Sequence, residues 1–485
     1  MRPPLRILGP ATTVVLAVAL SVAVPLGMIL TMLLPGAQAV PSGPRIDWVV
    51  TTGDQASLAT PRPVVSFGRD KQVPAAVVVD DSTRHQRFVG VGAAMTESSA
   101  WLLSRLPAET RSAALRDLFH PTEGAGISVV RVPLGASDFA LDDYTYDDLP
   151  GDETDPGLYD FSVAREHEHV VPLLREAQAV NPSLRLVLSA WSPPAWMKDS
   201  GTTHGGSLSS EHESAYAAYL ARAAAGFTAA GLDVAAMTVV NEPNHSTPDY
   251  PSTRMPVEQQ VRVATALRTE LDARGLTAVA ILAHDDNWDD AAAPVEALAT
   301  APAGTYAGAA FHCYAGDVSE QSAVAGAFPW ARIWTTECTG RHGTSGFSGD
   351  LRWGMRNMLI GAFRNHSQAV LWWNIALDPA SGPKNGGCQD CRGVLTVDPG
   401  TATVDPTTEY WLLAHVGRHL PRGSERVAST GGPHGVETAA FLTPDDRHVM
   451  LLLNDTATEQ TVTVRWNGQA AQLSLPAESV ATATW

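Results

Sequence analysis

The sequence predicts an α/β protein: a closed (β/α)8 TIM barrel carrying an attached β-sandwich domain built from both chain ends. Three observations predict it. Eight short apolar runs recur at 88–94, 127–132, 184–190, 235–240, 278–283, 308–313, 332–336 and 369–373. Stretches of helical period separate most of them, which is the alternation of parallel β/α units closing on themselves. Period-two alternation then takes over at His448–Leu453, Thr461–Trp466, Gln469–Leu475 and Val480–Trp485, with Asn467-Gly468 marking a hairpin. A doubly wound sheet is the rival fold. Its phosphate turn after the first strand is Gly-rich, and Gly92-Ala93-Ala94-Met95-Thr96-Glu97 does not qualify.

In chain order, Arg2 and Arg6 precede an apolar stretch from Ala11 to Leu34 and the small-residue segment Ala37-Gln38-Ala39. That order reads as an export signal cleaved after Ala39, covering residues 1–39. The stretch is long, so a membrane anchor left uncleaved is the alternative; after cleavage no stable membrane insertion is expected. Residues 40–84 supply the first strands of the sandwich, 85–420 the catalytic barrel and 421–485 the rest of the sandwich. Within the barrel, one helix is expected over Val163–Val180. A second opens with Ser210 and Glu213 as a capping box and runs to about Ala229 before Gly231. A third starts at Pro256, carries Val257, Val261, Ala264 and Leu271 on one face, and stops before Gly275.

Composition narrows the function. Lys and Arg number 33 against 51 Asp and Glu, a net charge of −18 with no basic cluster, so nucleic acid is not an expected partner. Thirteen tryptophans are many. Trp191, Trp196, Trp372 and Trp373 stand near strand ends, where they serve either core packing or stacking on sugar rings. Of the four cysteines, Cys388 and Cys391 are spaced to clip one loop as a disulfide, and no second CxxC supports zinc. Cys313 and Cys338 are expected to be reduced.

In such a barrel the chemistry sits at the C-terminal strand ends. Those ends deliver Arg131 and Asp138, Trp191, Asn241 and Glu242, His284-Asp285-Asp286, His312 and Tyr314, Glu337, and Trp373 with Asn374. Glu242 and Glu337 each end a buried apolar run, where a carboxylate belongs only if it faces a cavity. Two of them meet the requirement for glycosidic cleavage, an acid/base and a nucleophile, and are expected to converge to roughly 5 Å. Asn241 is placed to meet a sugar 2-hydroxyl, and His312 and Tyr314 to orient the nucleophile. The simpler readings are an Arg131–Asp138 ion pair, a core role for His312, and a metal site at His284-Asp285-Asp286, which lacks partner ligands on strand one. No metal or cofactor is implied.

Phe88-Val89-Gly90-Val91-Gly92-Ala93-Ala94-Met95-Thr96, Arg131-Val132-Pro133, Ser137-Asp138-Phe139, Tyr144-Thr145-Tyr146-Asp147-Asp148, Trp191-Ser192-Pro193-Pro194-Ala195-Trp196-Met197-Lys198, Asn241-Glu242-Pro243, Thr336-Glu337-Cys338 and Trp373-Asn374 together resemble glycoside hydrolase family 30, which includes glucosylceramidase. The resemblance extends from about residue 85 to the C-terminus. It implies a secreted retaining β-glycosidase acting on a β-linked glucoside or glucan in the manner of glucosylceramidase. Glu337 is the implied nucleophile and Glu242 the acid/base. Arg131, Asp138, Trp191, Asn241, His312, Tyr314, Trp373 and Asn374 are implied around the sugar. Endo-β-1,6-glucanase and β-xylosidase activities occur in similar sequences. The Gly386–Gly393 segment departs from the lysosomal enzyme's loop, which counts against ceramide as aglycone. A sugar-binding barrel without catalysis is the competing class, but such proteins tend to lose one glutamate and both stand here.

Overall fold

The computed structural model describes residues 43–70, 76–343 and 345–485. The expected export signal lies outside the described residues. Eight strands close a parallel barrel: Gly90–Ala94, Val129–Pro133, Arg185–Ser189, Val234–Thr238, Ala280–Asn287, Gly308–His312, Arg332–Glu337 and Ser367–Asn374. They are referred to below as barrel strands one to eight. Each expected run coincides with one of them.

The barrel interior follows from the two-residue period of a strand. Val129, Val187, Ala236, Leu282, Ala310, Ala369 and Leu371 form an apolar cluster inside it around the buried Trp334. The alanines leave the room that one large indole fills, so this is a packed plug and not a pore. Two residues further along the same strands the inward positions become polar: Arg131, Ser189, Thr238 and Thr336, all buried. The site is built on that second layer.

The expected helices form as Val170–Val180, Glu213–Ala229 and Val257–Ala273. The capping box does not. A short 3-10 turn at Ser210–His212 precedes the second helix, and its cap makes no side-chain hydrogen bond. Glu213 instead accepts from Arg262 and Gln259 on the next helix, because a charged donor outbids a lone backbone N–H.

The sandwich is one continuous eleven-stranded sheet wrapped around its own apolar core. Arg45–Thr52 pairs antiparallel with Ser479–Thr484, so the two chain ends share the sheet. Val77–Arg87 pairs with Glu425–Ser429 and with Gln460–Trp466, and runs three residues past the expected 84/85 boundary. Asn467 and Gly468 join two strands with φ of 47° and 71°, the left-handed pair that a tight hairpin demands. His415, on the barrel side, is buried between Thr51 and Thr482 of the sandwich.

Candidate active site

Glu242 and Glu337 meet at the C-terminal end of the barrel. Their nearest carboxylate oxygens, with a ring nitrogen of His312, lie within 4.8 Å of one another. Both line a cavity of about 280 Å³ together with Asp138, Trp191, Asn241 and Trp373.

The two carboxylates are held differently. Both oxygens of Glu337 are engaged: Tyr314 donates its hydroxyl to Oε1 at 2.9 Å, and Arg131 donates Nη1 to Oε2. Glu242 is held through Oε1 alone, by Nδ1 of His312 at 3.1 Å. One carboxylate is thus locked, while the other keeps an oxygen to exchange a proton.

Asp285 organises this layer, a role that strand-end reasoning did not assign. Its side chain is fully buried. Oδ2 accepts from Arg131, Ser189 and Thr238 at 2.8 Å each. Oδ1 accepts from Thr336 at 2.7 Å and from Nε2 of His312 at 3.1 Å. Five barrel strands therefore donate to one carboxylate on a sixth. The backbone bends to allow it: His284 and Asp285 have φ of 75° and 63°, and the pairing with strand six shifts register there. Glu242 sits at φ 44° and donates its N–H to the carbonyl of Asp285 at 3.0 Å. Left-handed non-glycine residues cost about 1–3 kcal/mol each, a strain that surrounding structure must hold and that gathers at functional sites.

The electrostatics follow from these contacts. Burial alone pushes the imidazole of His312 down, but Glu337, Asp285 and Glu242 overcome it and raise its pKa to about 10. Both of its ring nitrogens face carboxylates, Nδ1 toward Glu242 and Nε2 toward Asp285. Burial pushes both glutamates up. At Glu242 the hydrogen bond and charge of His312 reverse the push, leaving it below the ordinary value. At Glu337 burial, joined by the charge of Glu242, prevails over His312 and Arg131 and leaves it raised. Asp138 is pushed well up by burial and by Glu337 and Glu242, and its buried Oδ1 has no protein partner. A carboxyl so placed on a cavity wall is a ready hydrogen-bonding partner for a ligand hydroxyl.

Several expected contacts differ. Arg131 pairs with Asp285 and Glu337, not with Asp138. Arg131 and His312 do not line the cavity; they stand behind the carboxylates and act through them. His312 holds Glu242 rather than Glu337, because the bulge in strand five brings Asp285 and Glu242 to its two nitrogens. Asn374 turns away toward strand one, where Thr96 donates to its Oδ1 at 2.7 Å, and it is absent from the cavity wall. Trp191 and Trp373 do line it, stacked at 5.0 Å with Arg131 over both rings. Asn241 accepts from Arg131 at 2.7 Å; since guanidinium only donates, the amide nitrogen is left for a ligand.

The loops add what strand ends could not reveal. His245 and Tyr250, joined at 2.9 Å, line the cavity after strand four. Cys388 and Cys391 form the expected disulfide. Their loop closes a wall through Asn385 and Gly387, whose N–H groups donate to the carbonyl of Asp138, and through an Arg341–Asp390 pair at 3.0 Å. Cys313 and Cys338 are bonded as well, against the expectation that they are reduced. Each is the first residue beyond its barrel strand, and strands six and seven are neighbours, so their Cα atoms stand 5.3 Å apart.

Comparison with known proteins agrees with this geometry. The glycosyl hydrolase family 30 TIM-barrel domain matches residues 88–419, and the family 30 beta sandwich domain matches 423–483. The chain belongs to glycosyl hydrolase family 30. It is a glycoside hydrolase. Endo-1,6-beta-D-glucanase BGN16.3 of Trichoderma harzianum is 28% identical over 434 residues, 83% of this chain and 85% of that protein. Lysosomal acid glucosylceramidase of Mus musculus is 28% identical over 410 residues, 79% of this chain and 77% of that protein. Among solved structures, the endo-beta1,6-glucanase BT3312 has a TM-score of 0.83 at 27% identity, covering 91% of this chain and 99% of that one.

Proposed function

We propose that this family 30 hydrolase is a retaining endo-β-1,6-glucanase. The observation that carries the mechanism is the approach of Glu242 and Glu337 within 4.8 Å. Retaining enzymes place their carboxyls about 5–5.5 Å apart, and inverting enzymes need about 6.5–9.5 Å to fit a water between them. Glu337, locked by Tyr314 and Arg131, attacks the anomeric carbon as Glu242 gives its proton to the departing oxygen. The glycosyl ester on Glu337 is then cleaved by water, which Glu242 deprotonates.

The charge balance described above favours a proton on Glu337 before Glu242, whereas cleavage needs the reverse. Substrate supplies the reversal: positive charge growing at the anomeric carbon beside Glu337 favours its anion. Asp138, Trp191 and Asn241 hold the sugar, and Arg131, His312 and Asp285 hold the carboxylates.

The choice of linkage is supported by the relatives. Sequence motifs alone point toward glucosylceramidase-like action. The named β-1,6-glucanases from a fungus and among solved structures move the reading to β-1,6-glucan, as does the disulfide loop walling the cavity. Secretion is part of the proposal and rests on the N-terminal sequence; a polymer substrate outside the cell requires it.

The test is a substrate panel of β-1,6-glucan, xylan, glucosylceramide and an aryl β-glucoside, with Glu337→Gln as the control. Mixed oligosaccharides released early from β-1,6-glucan are expected. Cleavage of glucosylceramide or xylan with the glucan untouched rejects the linkage.

A further inference from the structure

A second cavity of about 360 Å³ opens beside the catalytic one. The two share Tyr314, Thr339 and Arg341, so they meet at the edge where Tyr314 grips Glu337. Asp138 and Trp191 line only the catalytic cavity. If they hold the sugar being attacked, the second cavity receives what leaves.

Its walls combine an aromatic ring with fixed acceptors. Trp353 ends the helix Gly346–Trp353 and is 44% exposed, one of few large apolar side chains in the described residues to reach solvent so far. Asp350 and Glu409 also line it, both fixed by Nη2 of Arg392, at 2.9 and 2.6 Å. Asp350 also accepts from Ser345, and Glu409 from Nε of Arg392 and from Thr407; with about four acceptor sites on a carboxylate, Asp350 keeps the more open ones. A ring face beside fixed acceptors suits a pyranose, with one apolar face and a rim of hydroxyl donors. Anions meet two carboxylates, and the guanidiniums at hand, Arg341 and Arg392, are already paired with Asp390 and with those carboxylates. An alkyl chain would cover the open acceptor sites of Asp350 without offering them a hydrogen bond.

We infer that this cavity is a leaving-group subsite binding a glucosyl unit of the chain, with Trp353 as its stacking platform. The inference rests on the β-1,6-glucanase reading and deepens it: the enzyme grips its polymer on the departing side of the scissile bond, which favours internal cleavage over trimming of ends.

The experiment measures kcat/KM of the wild type, Trp353→Ala and Trp353→Phe on β-1,6-gluco-oligosaccharides of increasing length. An aryl glucoside too short to reach Trp353 is the internal reference, and a long-chain alkyl β-glucoside the lipid arm. In the wild type kcat/KM should climb with length. Trp353→Ala should lose about ten-fold on the long oligomers, chiefly through KM, Trp353→Phe should recover most of it, and the reference rate should hold. Equal length dependence in wild type and Trp353→Ala overturns the subsite. So does a loss confined to the alkyl glucoside, which assigns the cavity to a lipid. A wild type that cleaves the aryl glucoside and no β-1,6-oligomer overturns the linkage reading itself, a failure visible before any variant is made.

Discussion

His312 and Asp285, neighbours on adjacent barrel strands, form a fully buried ion pair at 3.1 Å. Through it the charge at Glu242, the proposed acid/base, is tied to a carboxylate that also anchors Arg131, and through Arg131 to Glu337, the proposed nucleophile. The two glutamates are one electrostatic unit rather than two independent groups.

Asp285→Asn should therefore damage both stability and catalysis. The amide nitrogen cannot accept from Arg131 or His312, so buried donors lose their partner. Breaking a buried pair in this way costs about 3–5 kcal/mol. Urea unfolding should show a loss of that order, and turnover should fall even at temperatures where the variant remains folded. Stability within 1 kcal/mol of the wild type, on the scale of exposed ion pairs, would remove Asp285 from the centre of the site.

His312 holds both glutamates down, so His312→Gln should move both limbs of the kcat/KM profile to higher pH. The same ring contributes to folding. Its pKa is raised from 6.5 to about 10, so its contribution is complete below pH 6.5 and fades as pH climbs to about 10. The stability gap between wild type and His312→Gln should narrow over that window. A gap that widens with pH means the ring is neutral in the folded protein.

Glu242→Gln should cut turnover of a glucan about 10²–10⁴-fold, the range for loss of general acid catalysis, and spare cleavage of an aryl glucoside whose leaving group needs no proton. Glu337→Gln should abolish both. Equal loss on both substrates for Glu242→Gln reassigns the acid.

The Cys313–Cys338 bond closes 25 residues, a loop for which cross-linking contributes about 3 kcal/mol. Replacing both by Ser should lower unfolding stability by that order. Activity should fall too, because Cys338 follows Glu337 directly and Cys313 lies between His312 and Tyr314. Denaturation with and without reductant measures the first effect and initial rates the second.

Much of this was legible in the sequence, for physical reasons. Parallel strands buried on both faces read as apolar runs, and a polar residue ending such a run has little cause to be there but function. That logic singled out Glu242, Glu337, Asp138 and Trp191, which share one cavity wall. It misplaced Asn374, also at a strand end, because a backbone shift between Trp372 and Asn374 turns it toward Thr96. It named Asp285 only within His284-Asp285-Asp286, weighed as a metal site, and gave it no organising role, since nothing local reveals two consecutive left-handed residues. The Cys313–Cys338 bond was within reach, because two cysteines just beyond strands six and seven of a barrel must be neighbours. His245, Tyr250 and Arg341 lie on loops whose course only the folded chain fixes.

The measurement that bears most directly on the paired carboxylates is the anomeric form of the first product, followed by proton NMR during hydrolysis of a β-glucoside. With Glu242 and Glu337 within 4.8 Å of each other, two inversions should release the β-anomer first, with the α-anomer appearing only as it equilibrates. Initial release of the α-anomer would contradict the mechanism, since a single inversion needs a water between carboxylates that stand too close to admit one.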